Sequence, residues 1–135
     1  MTNDLLMAAF EDATLSEVEL NHTNHVRLGW LYIRRDGLLG ALEAFPAALR
    51  RYAAAHGKAG LYHETITWAY LILIHERLAH HRDDRWSVFA DANRDLFDRS
   101  PSILDRYYDR EFLASPMART TFVLPRIKAD RESRD

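Results

Sequence analysis

Three histidines and a glutamate have the types and spacing that chemistry would use. His22 and His25 stand three apart, so on an α-helix they project from one side. His63 and Glu64 sit at the head of Tyr62-His63-Glu64-Thr65-Ile66-Thr67-Trp68-Ala69-Tyr70-Leu71-Ile72-Leu73-Ile74-His75-Glu76-Arg77, the most apolar run in the sequence. Three neutral imidazoles with an open fourth position make a recurrent catalytic metal site. Cysteine is absent, which excludes thiolate ligands, disulfides and cysteine nucleophiles. Zn, Cu, Fe or Ni are then the divalent transition metals the site would take. The expected centre is mononuclear, with His22, His25 and His63 as ligands. Glu64 would orient a ligand or act as a base, and Tyr32, Thr67 and Tyr70 would contact a small-molecule substrate. Both an oxidative and a hydrolytic reaction suit that set, and the reading leans to a metal-dependent enzyme.

A second reading comes from a different class. The same polar cluster, without metal, would make a non-enzymatic module that binds a small ligand or a partner, with an apolar surface for homodimerisation. The three imidazoles can equally be satisfied polar groups at one end of a bundle. H-x-x-H on a helix is a weak motif, and His63-Glu64 lacks the second histidine four residues on that a zincin requires. His75 lies about 16 Å from Glu64 along a helix, too far to share a small site. It is expected to make a buried hydrogen bond instead.

The elements that would position these groups are helical. At about 100° per residue, His63, Thr67, Tyr70 and Ile74 share one face, while Glu64, Trp68, Leu71 and His75 share the next. His25, Gly29 and Tyr32 continue one face of an earlier helix. Gly29 costs that helix about 0.8–1.0 kcal/mol relative to Ala, so a close approach of another group is expected there. This helix starts either at Glu17, where Ser16 and Glu19 form a capping box, or at His22, capped by Asn21. It stops at Asp36-Gly37. Asp36 would cap a second helix whose seam is Leu38, Leu42, Phe45, Leu49 and Tyr52, kinked at Pro46 and ended by Gly57. His56 reads as a cation at that C-terminus. The apolar run is a third helix reaching about His81, with His80 and His81 in its last turn.

A short helix over residues 4–12 precedes these, with Leu6, Ala9 and Phe10 inward. Downstream, Asp84 and Asn93 are candidate caps, and Ser100-Pro101 and Ser115-Pro116 are helix-start signals. Thr121-Phe122-Val123-Leu124-Pro125 reads as an extended strip across the bundle. The expectation is an all-α, single-domain bundle over residues 1–125: three longer helices, a C-terminal wrap of short ones and that strip. Residues 126–135 form a charged, frayed tail.

Charge argues against a polyanion partner. Lys and Arg total 18 against 20 Asp and Glu, for a net charge of -2, which gives no general footprint for nucleic acid. The local basic clusters at Arg34-Arg35, Arg50-Arg51 and Arg82 to Arg85 are interrupted by Asp36, Asp83 and Asp84. No apolar run reaches membrane-spanning length and no signal peptide is visible, so the expected location is cytoplasmic. No phosphate-binding glycine loop or G-x-S-x-G elbow occurs.

The strings His22-Thr-Asn-His-Val-Arg-Leu-Gly-Trp-Leu-Tyr, Tyr62-His-Glu-Thr-Ile-Thr-Trp-Ala-Tyr and Ala118-Arg-Thr-Thr-Phe-Val-Leu-Pro resemble a group of small, uncharacterised all-helical bacterial proteins. That resemblance implies a helical fold and carries no activity with it. The ligand order of hemerythrin-like bundles does not occur.

Overall fold

The structure is a computed structural model that describes residues 1–80 and 85–126. The cap expected from Asp84, the role of His81 and the tail from residue 127 lie outside the described residues. Within them the fold is all-α: no β-strand occurs, only two isolated bridges. No described helix is long and apolar enough to cross a membrane.

Helix α1 spans Asn3–Glu11, capped by the Thr2 side chain, and buries Leu6 and Phe10. Ser16 and Glu19 form only half of the expected box: the Glu19 N–H donates to Ser16 Oγ at 3.1 Å and the Ser16 hydroxyl donates to the Glu19 carboxylate at 3.0 Å, closing only a turn. Helix α2, His22–Ala55, begins at the other expected start: the Asn21 side chain accepts from the Asn24 N–H at 2.9 Å.

Helix α2 is two limbs joined at Gly37. There φ is +74° and ψ is 178°, a region that is essentially closed to residues with a Cβ. The chain turns and the second limb, 38–55, comes back beside the first, 22–36, so that the Tyr32 and Phe45 rings lie 5.2 Å apart. Asp36 does not cap the second limb. Its carboxylate is held by the Arg35 guanidinium through two bonds of 2.9 Å. Pro46 is buried inside the second limb, and Gly37, not Pro46, leaves the helical dihedral range. Gly57, at φ +70°, ends the limb in the left-handed conformation expected of it.

A single 3₁₀ turn, Ala59–Leu61, leads into α3, Glu64–His80. This helix runs beside the first limb of α2. A Cβ on Gly29 would stand 3.0 Å from Ile74 Cδ1 and 3.4 Å from Leu71 Cδ2, so the glycine admits the close approach expected at that position. Leu71 and Ile74 are buried, but His75 is exposed. The buried hydrogen bond expected for His75 is therefore corrected, because its face of α3 meets solvent at that level.

The rest of the chain wraps these three long segments. Helix α4, Trp86–Ala92, stacks Phe89 on Trp30 at 6.2 Å. Asn93 caps nothing. Its amide donates to Phe89 O at 2.9 Å and its oxygen accepts from Arg77 at 3.0 Å. Arg77 also grips Asp95 through two 2.8 Å bonds, which holds the Asp95 carboxyl below its usual range. The start signal at Ser100-Pro101 is displaced to Ser102, which forms a capping box with Asp105 for the 3₁₀ turn Ile103–Arg106. After α5, Arg110–Leu113, the Ser115-Pro116 signal starts α6, Pro116–Thr120, as its residues predict. Residues 121–125 then cross α3 as an extended strip. Fully buried Thr65 donates to Thr121 O at 2.7 Å and accepts from Val123 N–H at 3.2 Å, and Phe122 stacks on Trp68 at 5.3 Å.

Gly37→Ala should cost about 1–3 kcal/mol, the strain of a side chain in that backbone region. Urea denaturation measures it, and Gly60→Ala, where a Cβ meets open space, is the matched control.

Candidate functional site

At one end of the bundle three segment ends come together: the start of α2, the end of its second limb and the start of α3. They enclose a cavity of about 760 Å³. Its walls are mostly apolar, with Val26, Phe45, Leu49, Ile66, Leu71 and Ile74 among them. Part of the polar lining comes from the residues singled out by spacing. His22, His25, His63, Thr67 and Tyr70 all face it. Two cations, Lys58 and Arg99, also line the cavity and both are exposed, as are Val18 and Leu61 at 87% and 72%.

Two of the three histidines are engaged in hydrogen bonds to the main chain. His63 is the residue before α3, and its Nδ1 accepts from the Ile66 N–H at 3.1 Å, which caps one of the helix's orphan donors. Its Nε2 must therefore carry the proton, which goes to Leu113 O at 2.7 Å. Both nitrogens are used. Burial, with the Arg119 charge adding to it, holds the His63 pKa below the ordinary histidine value even though the bond to Leu113 O opposes that. Thr67 bonds back to His63 O at 2.7 Å. His22 donates its Nε2–H to Leu96 O at 2.9 Å, and its ring meets Tyr70 edge-on at 5.4 Å.

His25 differs from both. Neither ring nitrogen has a hydrogen-bond partner among the described residues. Burial lowers its pKa to about 4, with His22 and Arg99 adding like-charge repulsion. It therefore stands neutral at pH 7, one nitrogen able to donate and the other to accept. Tyr70 is raised above the ordinary tyrosine value, mainly by burial.

Among the described residues no three His, Asp or Glu side chains gather closely enough to hold a metal ion. The expected three-imidazole centre is thus not assembled: His63 has no free nitrogen, and His22 has only Nδ1. Two further expectations are corrected. Glu64 turns into a neighbouring groove of about 430 Å³ with Arg50 and Arg119. There it accepts from the Tyr62 hydroxyl and pairs with Arg50 at 3.5 Å. Tyr32 is in the core, its ring between Phe10 and Phe45 and its hydroxyl without a partner. Burial raises its pKa to about 12. It cannot contact a ligand in the cavity.

Arg99 is the residue that spacing could not find. It comes from a loop 74 positions beyond His25 and is brought close by the bond from His22 to Leu96 O. No family model matches this chain, and neither a curated protein nor a solved structure is detectably similar to it.

His25 gives the cavity a pH signature. Its folded pKa lies below the unfolded value, so the unfolded chain binds more protons in between. Stability should be intact above pH 6.5 and should fall as pH drops toward about 4. Melting temperatures across pH 4–8 should show that decline, and His25→Gln should flatten part of it, leaving the share that His63 contributes.

Proposed function

We propose that this chain is a small-ligand-binding helical module, and that its ligand occupies the cavity between the start of α2, the end of its second limb and the start of α3. One observation carries the reading: an imidazole with both nitrogens unpartnered faces an apolar-walled cavity of about 760 Å³. Sites for small organic molecules are typically about 300–1,000 Å³, mostly apolar, with a few convergent polar groups. A fully buried unpartnered polar group costs about 1–3 kcal/mol, and half-buried His25 carries part of that penalty. A ligand with one donor or acceptor opposite His25 relieves it, while its apolar body covers Leu49, Phe45 and Leu71.

Metal-dependent catalysis has less support. Recruiting His63 as a ligand would uncap α3 and leave Leu113 O without its donor. That would have to be offset before any binding energy appeared.

The neutral dye N-phenyl-1-naphthylamine tests the proposal. The protein should bind it at one saturable site per chain with a rise in fluorescence. Ala53→Phe, which adds a ring to the cavity wall, should weaken binding at least about tenfold, or about 1.4 kcal/mol. Leu39→Ser, at an exposed position away from the cavity lining, should leave it unchanged. Binding that does not saturate, or that ignores Ala53→Phe, sinks the reading. A rise in melting temperature with Zn²⁺ at pH 7.5 that vanishes in His63→Ala would favour the metal centre instead.

A further inference from the structure

The chemical class of ligand can be narrowed, on the reading that the cavity is a binding site. We propose that it selects molecules with an apolar body and a carboxylate head, and that Arg99 takes the head.

Consider first which lining groups are already committed. His63 uses both nitrogens, the Thr67 hydroxyl is bonded to His63 O, and the Nε2–H of His22 is bonded to Leu96 O. Glu17, the acidic group of the lining, lies 3.5 Å from His56 Nδ1. What remains includes the Arg99 guanidinium, the Lys58 ammonium and one N–H of His25, while the Tyr70 hydroxyl leans on Ser102. Neither the Arg99 nor the Lys58 side chain has a hydrogen bond or ion pair among the described residues. A head group that accepts several hydrogen bonds and carries negative charge matches this set, and a planar guanidinium meets a carboxylate through two parallel bonds.

Arg99 rather than Lys58 stands at the polar wall. Its loop is docked against the start of α2 by the His22 bond to Leu96 O, and a backbone bridge from Arg99 to Ser102 fixes its direction. Its charge is felt by both His25 and Tyr70. Two acids, Asp98 and Asp105, also face Tyr70, but neither lines the cavity, and Asp105 is held by Arg110 at 3.1 Å. α2 and α3 both begin at this end of the cavity and the second limb of α2 ends there, so two positive helix ends stand against one negative. His22 is a positioning residue in this arrangement. Arg99 is the contact.

Competition against the bound neutral dye tests this with two probes of one shape, 2-naphthoate and 2-naphthamide, on the full chain at pH 7.5. The acid should displace dye at about tenfold lower concentration than the amide, the effect of one charge-assisted pair. Arg99→Ala should bring the two probes to within about twofold, Arg99→Lys should keep part of the preference, and Lys58→Ala should keep it all. Because the dye is neutral, its own binding should survive Arg99→Ala, which also verifies that the variant is folded. Equal displacement by acid and amide overturns the proposal while leaving the cavity as a ligand site. A preference that persists in Arg99→Ala, or that disappears only with Lys58→Ala, overturns it as well. Failure of the dye to bind at all would instead count against the cavity reading.

Discussion

The arrangement rests on the backbone excursion at Gly37. Without it the 34 residues of α2 would run on as one rod of about 50 Å at 1.5 Å per residue, and no cavity would exist. With it the second limb returns beside the first, so that residues near 52 reach the level of residues near 25. The 3₁₀ turn at Ala59–Leu61 then sends α3 off again from that same end. Three segment ends meet where three rods alone would meet only if their lengths matched. The cavity is the space they leave, because the side chains closing it, Val18, Leu61, Lys58 and Arg99, come from loops and turns rather than from the rods.

The two ends of this bundle are packed differently. Toward the Gly37 end, Phe10, Tyr32 and Phe45 fill the space between α1 and both limbs, with ring separations of 5.2 to 6.3 Å, and Phe10 also stacks on Tyr52 at the cavity wall. At the opposite end polar groups take over, His22, His63 and Thr65 among them. Dispersion contacts among close-packed rings fix the Gly37 end, while the cavity end is held by hydrogen bonds from side chains to distant main-chain carbonyls. The ligand site proposed here sits at the end where a cavity leaves the packing incomplete.

Much of this was legible in residue spacing. The face His63, Thr67, Tyr70, Ile74 was read from the helical period, and all four residues line the cavity. His25 and Gly29 were read the same way. Tyr32 shares their face, but it lies seven residues from His25, about 10 Å along the axis, where α1 has closed the space with Phe10. Angle was readable from sequence and axial level was not, since the level depends on where a separate helix docks. The capping role of His63 was hard to see for a different reason. Helix caps are usually Ser, Thr, Asp, Asn or Gly, so an imidazole before Glu64 gives no cap signal. The third expectation for these histidines, as satisfied polar groups at a bundle end, fits His22 and His63 and fails only at His25. Arg99 was out of reach because nothing local records that Leu96 O lies against His22.

His22, His56 and His63 share a habit: each gives one ring nitrogen to a main-chain carbonyl far away in sequence, at Leu96, Ala13 and Leu113 respectively. Such an anchor reads the path of the tethered segment and is blind to its side chains. The segments around residues 13, 96 and 113 are therefore free to change composition while the imidazoles hold their course. Arg99 travels on one of those segments. The scaffold can thus exchange the residue that meets a ligand without re-engineering the joint that presents it, and related chains could differ in what they bind while sharing the same three ties.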